Sequence, residues 1–144
     1  MSFWKTTLPV AVYRLTGGRV FGRVGGQPVL LLQTTGRRSG RPRTTPVQYL
    51  RDGESFVVVA SNAGAAHPPA WLLNLRAEPR AHVQVGAQPL DVMAREIGDD
   101  DHAALWQRLT AANRQLDTAA RKAGRRLPIL VLSPGRVPEC RDER

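Results

Sequence analysis

Two strand-length segments, Thr44 to Leu50 and Ser55 to Ala60, stand either side of Arg51-Asp52-Gly53-Glu54. An Asp-Gly pair between such segments is a strong hairpin signal, because glycine accepts the positive φ of a tight turn without steric cost. The two segments are therefore expected to pair antiparallel. Val29-Leu30-Leu31-Leu32 reads as a buried strand, His82 to Val85 and Leu90 to Glu96 as a second hairpin around Gly86-Ala87-Gln88-Pro89, and Pro128 to Leu132 as a last strand. A short helix is expected over Ala70 to Ala77, ended by Pro79. Asp99-Asp100-Asp101 supplies the N-cap and a favourable charge for a longer helix, whose apolar period runs through Leu105, Leu109, Ala112 and Leu116 to about Ala123. Six mostly antiparallel strands with interspersed helices indicate the α+β class, read best as a small barrel with capping helices.

The length of 144 residues, 42% of them hydrophobic, suits one domain over residues 1–144. Phe3, Trp4, Leu8, Val12 and Leu15 recur at helical spacing, so about 1–18 reads as an amphipathic helix, and the tail from about 134 as frayed. That first helix can cap the core or lie on a membrane surface, since its aromatic and basic residues suit such an interface. No apolar run approaches the roughly 20 residues of a membrane span, and the N-terminus makes a poor signal peptide. Cys140 has no partner for a disulfide, which fits a reducing compartment. A cytoplasmic location follows, with the inner face of the membrane as the variant.

Net charge is +9, and only Lys5 and Lys122 of the basic residues are lysine. Planar guanidinium groups favour partners with phosphate or carboxylate, which they grip through paired hydrogen bonds. The densest cluster is Thr34-Thr35-Gly36-Arg37-Arg38-Ser39-Gly40-Arg41-Pro42-Arg43. Glycines let backbone N–H groups close around an anion, hydroxyls add donors and arginines neutralise charge, so the segment reads either as a phosphate site or as a solvated basic loop. Its spacing is not that of a P-loop. His67, His82 and His102 fall at no ligand spacing, so no metal site is expected. Ser39 and Ser61 lack the neighbours of an activated nucleophile. A nucleic-acid partner is disfavoured, because Tyr49 is the only aromatic close to the arginines and no stacking row interleaves them.

The loop continues as Thr44-x-Pro46, then Tyr49-Leu50-Arg51-Asp52-Gly53, Val59-Ala60-Ser61-Asn62 and Pro69-Ala70-Trp71-x-x-Asn74-Leu75-Arg76-Ala77-x-Pro79. In this combination the chain, from about Val12 to Pro134, resembles the deazaflavin-dependent nitroreductases, also called quinone reductases. The resemblance implies a split β-barrel of the flavin-reductase and pyridoxamine-oxidase kind, and coenzyme F420, an 8-hydroxy-5-deazaflavin, as cofactor. It implies that Arg37, Arg38, Ser39 and Arg43 hold the coenzyme's phosphate and acidic tail. Thr44, Thr45, Pro46, Val47 and Gln48, with Val59, Ala60, Ser61 and Asn62, would line the ring, partly through backbone amides. Ala70, Trp71, Leu72, Leu73 and Asn74 would close the groove.

The implied chemistry is hydride transfer from the reduced coenzyme to a quinone, nitroaromatic or activated alkene, with a small-molecule acceptor as partner. Trp4, Asn113 and Leu116 are expected at the acceptor's pocket and Ser61 as the catalytic donor to the developing anion. The family commonly carries tyrosines where this chain has Asn113, Leu116 and Ala119, so phenolic donors are lost there and nitroreduction is expected to be weaker. A deazaflavin or lipid carrier without turnover is the competing reading. Because all motifs lie on one chain, a monomer suffices for the site.

Overall fold

The computed structural model describes residues 23–24, 27–61, 65 and 67–134. The expected N-terminal helix with Trp4, the tail with Cys140, and Asn62 lie outside them. The described elements are β1 (Arg23–Val24), β2 (Gln27–Thr35), β3 (Pro42–Gln48), β4 (Leu50–Asp52), β5 (Ser55–Val59), α1 (Ala70–Ala77), β6 (Arg80–Val85), β7 (Gln88–Glu96), α2 (Asp99–Ala112), α3 (Gln115–Ala123) and β8 (Ile129–Pro134).

Pairing registers show how the sheet curls. β3 pairs antiparallel with β2 from Thr35↔Pro42 to Val29↔Gln48, while β4 pairs with β5 from Leu50↔Val57 to Asp52↔Ser55. The chain changes partner at Tyr49, whose N–H donates to the Pro28 carbonyl at 3.1 Å and whose ring meets Phe56 edge-on with centroids 5.4 Å apart. The other antiparallel pairings run from β2 through β6, β7 and β8 to β5. This bent strand thus links the two ends of the sheet and makes a partly closed barrel.

Alternation along the strands separates two cores. Phe56 and Val58 of β5 and Leu130 and Leu132 of β8 point into the barrel with Leu30, Leu32 and Val83. Trp71, Leu72 and Leu75 of α1 enter the same cluster, so this helix plugs the barrel. Val57, Val59, Ile129 and Val131 point outward, where Leu109 of α2 and Leu116, Ala119 and Ala120 of α3 cover them. The apolar run of β2 is buried on both faces: Leu30 and Leu32 inward, Val29 and Leu31 in a separate cluster.

The hairpin expected at Arg51 to Glu54 is present, with Gly53 at φ 62°. That of β6 and β7 is tighter than expected: Val85 pairs with Gln88, which leaves Gly86, at φ 63°, and Ala87 to make the turn. The helix expected from Asp99 to about Ala123 is two helices. Asn113 between them is extended, at φ −145° and ψ 95°, and its Oδ1 accepts the Gln115 N–H at 3.1 Å. A short side-chain amide that competes with the backbone for hydrogen bonds accounts for the break. The apolar period runs on across it because Leu109 and Leu116 still reach one cluster.

Candidate active site

The arginine cluster is the β2–β3 hairpin. Both strands reach further into it than the sequence suggests, with Thr34↔Arg43 and Thr35↔Pro42 still paired, so only residues 36–41 form the turn. The turn is tight at Gly36, where a Cβ would stand 2.7 Å from Ser39 Oγ and 3.2 Å from the Arg41 carbonyl oxygen, so a larger residue needs Ser39 to move. The turn also uses most of its own amides. Gly36 N–H donates to the Arg41 carbonyl and Gly40 N–H to the Gly36 carbonyl, both at 2.8 Å, and Arg41 N–H donates to Ser39 Oγ at 3.1 Å. Arg37 N–H donates to Asn74 Oδ1 at 3.0 Å, and Asn74 Nδ2 donates to Thr34 Oγ1 at 3.1 Å. An anion at this turn therefore meets guanidinium groups and the tip amides of Arg38 and Ser39 rather than a full ring of backbone donors. Among the described residues, Arg37, Arg38, Arg41 and Arg43 form no ion pair.

Beside the hairpin lies a cavity of about 840 Å³. One wall is the β3 stretch from Thr45 to Gln48; β5, the segment 67–69, α1, the end of α2 and the start of α3 supply the others, with Arg37 at the end nearest the hairpin. No carboxylate lines it, so Arg37 is its one permanently charged wall residue among those described. Asn113 Nδ2 donates to Gln48 Oε1 at 3.1 Å, which fixes the helix break against β3. Glu78, Glu96 and Asp99 are held below the usual carboxylate range by hydrogen bonds from Arg80, Arg76 and Arg126, and all three lie away from the cavity.

The structure brings Arg37, Thr45, Pro46, Val47, Gln48, Val59, Ser61, Ala70, Trp71, Leu73, Asn113 and Leu116 together at the cavity. Arg38, Ser39 and Arg43 are exposed on the hairpin, and Thr44 is half-buried in β3 beside it. Leu72 and Ala60 are instead fully buried in the barrel core, and Asn74 is buried and engaged with Thr34 and Arg37. These three face away from the cavity because α1 and β5 each turn one side to the core. Ala60 N–H donates to Pro128 and Ser61 N–H to Val59, both at 2.9 Å, so those amides are engaged within the fold and Ser61 offers its hydroxyl. Ala119 packs on the outer core rather than into the cavity.

Sequence reasoning missed Tyr49, Leu50, Val57, His67, Pro68, Pro69, Leu109 and Ala112 as wall residues. Strand alternation from Val59 points to Val57, and helical spacing back from Leu116 points to Ala112 and Leu109. Nothing local marks Tyr49, which owes its place to the bend between β3 and β4. His102 is structural: its Nε2 meets the Leu127 carbonyl at 2.8 Å and its ring stacks on Trp106. His82 pairs across the hairpin with Asp91. Among the described residues, no group of His, Cys, Asp and Glu is placed to hold a metal ion, and no helix is long and apolar enough to cross a membrane.

A family model described as F420H(2)-dependent quinone reductase matches residues 5–134. An F420H(2)-dependent quinone reductase of Mycobacterium tuberculosis is 40% identical over 128 residues, 85% of this chain and 85% of its own. A solved structure described as an F420-H2 dependent reductase, FDR-A, superposes with a TM-score of 0.67 at 29% identity, covering 74% of this chain and 94% of that one. A Listeria innocua structure named for pyridoxamine 5'-phosphate oxidase shares the fold at a TM-score of 0.53 and 13% identity, over 75% of this chain and 84% of its own. The curled sheet is thus the split barrel that the sequence resemblance implied.

Proposed function

The chain belongs to the F420H(2)-dependent quinone reductase family, and from that premise we infer that its arginine hairpin grips the phosphate and carboxylate end of coenzyme F420 while the adjoining cavity takes the deazaflavin ring and a quinone. One observation carries this reading. A hairpin with four arginines that form no ion pair among the described residues opens, at Arg37, onto a cavity whose described wall holds no carboxylate. The residues fit the group. Its anionic end needs several fixed cations, its ring needs a largely apolar slot, and about 840 Å³ is within the usual range of ligand pockets.

When bound in its reduced form the coenzyme supplies the hydride, and the protein supplies position and electrostatics. Arg38 and Arg43 would hold the anionic end, and Ser39 would add a hydroxyl. Thr45 to Gln48 from β3 and Ala70, Trp71 and Leu73 from α1 would hold the ring. As a quinone takes up electrons, negative charge grows on its oxygens. Arg37, the Ser61 hydroxyl and the Asn113 amide are wall groups able to stabilise that charge. A carrier without turnover is the weaker reading, since the family is defined by reduction of quinones. Leu116 supplies no hydroxyl, which supports quinones over nitro compounds as acceptors. In this reading a monomer is sufficient, the protein works in the cytoplasm, and the basic and aromatic N-terminal segment is the candidate for contact with the membrane's inner face.

The test is to mix reduced F420 with a soluble menaquinone analogue and follow the return of the oxidised coenzyme's absorbance. The expected result is one coenzyme oxidised per quinone, at a rate set by the protein concentration. Tight coenzyme binding with no acceleration over the protein-free reaction would favour the carrier.

A further inference from the structure

We infer that His67 donates the proton that completes quinone reduction, an inference that rests on the functional reading above. A hydride gives a quinone two electrons and one hydrogen, which leaves a hydroquinone monoanion. The second hydrogen must arrive as a proton. An N–H bond of the imidazolium breaks, an O–H bond forms on the anionic oxygen, neutral hydroquinone leaves, and the imidazole regains its proton from water.

His67 is the one imidazole among the described wall residues. A guanidinium does not release its proton in proteins, and hydroxyls and amides hold theirs near neutrality, whereas imidazole exchanges a proton in that range. Position supports the role. Arg125 Nη2 donates to the carbonyls of both Ala65 and His67 at 3.3 Å, which anchors this segment from the connection between α3 and β8. Pro68 and Pro69 follow at once and also line the cavity, so the backbone leading into α1 is stiff and the histidine's place along the wall is defined. His67 is exposed on its other side, where water can return the proton. Arg125 meets its carbonyl, and the other charged and titratable groups on the described cavity wall are Arg37 and Tyr49. None of these is a carboxylate that would repel the hydroquinone anion.

The test uses 2-hydroxy-1,4-naphthoquinone, an anion at neutral pH, as a stand-in for the hydroquinone anion. It is titrated calorimetrically into the protein loaded with oxidised F420, between about pH 5.5 and 8.5. Wild-type affinity should fall about tenfold from the acid to the alkaline end of that range, the scale of one lost charge-assisted hydrogen bond. His67→Gln should flatten that dependence and remove the alkaline limb of kcat/KM for a quinone, with F420 affinity unchanged. If the wild type fails to bind F420 or to reduce quinone, the functional reading falls first. If it does both, and His67→Gln keeps the wild-type pH profile in binding and in rate, His67 is not the donor. A limb that vanishes in Tyr49→Phe instead would also overturn the inference.

Discussion

Asn74 Oδ1 accepts the backbone N–H of Arg37 at 3.0 Å, across 37 positions of chain. Asn74 sits on the buried side of α1 and also donates to Thr34 Oγ1. One side-chain amide thereby sets the arginine hairpin against the helix that walls the cavity. Asn74→Ala leaves a buried hydroxyl and an amide without partners, so it should destabilise the fold by about 2 kcal/mol. It should also weaken F420 binding, because the hairpin loses its anchor. Thermal unfolding and a fluorescence titration of the coenzyme check the two effects separately. Lower stability with unchanged affinity would mean that the hairpin holds its shape without Asn74. Asn74→Asp keeps the acceptor for Arg37 but not the donor to Thr34, and should fall between.

Asn113 joins β3 to the break between α2 and α3 through Gln48 and the Gln115 N–H. Removing it in Asn113→Ala should cost about 1–2 kcal/mol of stability, the scale of one helix cap plus one hydrogen bond. For a quinone kcat should fall and KM should rise, since the variant removes a donor to the developing charge and also shifts the wall. Leu116→Tyr places a phenol at the same wall, and nitroimidazole reduction should then increase on the order of tenfold or more, as one added donor to the developing charge implies. An unchanged rate would locate the limit on nitroreduction elsewhere in the cavity.

Much of this was legible because it is local. The Asp52-Gly53 turn, α1 from Ala70 to Ala77 and the doubly buried run Val29 to Leu32 each follow from a few neighbouring residues. Features made by distant partners were not. The use of the hairpin's amides, the exchange of pairing at Tyr49 and the anchoring of His67 by Arg125 join residues far apart in sequence. The break at Asn113 was hidden for a different reason: periodicity reports which face is apolar, and that face stays continuous across the break. Leu72 and Asn74 show a further limit. A motif can place a helix at a cavity, but which of its side chains face that cavity depends on how the helix is turned against the core.

Glu96 of β7 receives two hydrogen bonds from Arg76 at the end of α1, at 3.0 and 2.9 Å. Those bonds hold the Glu96 carboxyl below its ordinary value of 4.5. Because the folded value is lowered, the pair's contribution is fully present above the unfolded pKa and fades as pH falls through the folded one. Both side chains are well exposed, so the pair contributes less than about 1 kcal/mol. Glu96→Gln should lower the midpoint of thermal unfolding slightly at pH 7 and by less at about pH 3, since the carboxylate's contribution fades on acidification. An equal loss at both values would show that the charge is not what matters.

Selection of the acidic deazaflavin coenzyme by the arginine hairpin is open to parallel titrations of wild type, Arg38→Ala and Arg43→Ala with F420 and FMN. Each replacement removes a charge-assisted contact to the phosphate or the carboxylate tail, so F420 affinity should drop by roughly 1–3 kcal/mol per substitution while stability stays within about 0.5 kcal/mol. The wild type should bind F420 more tightly than FMN, because the extra carboxylates of the deazaflavin tail meet arginines that FMN leaves unused. Equal affinity for the two, preference for FMN, or variants that bind F420 as tightly as the wild type would contradict that selection.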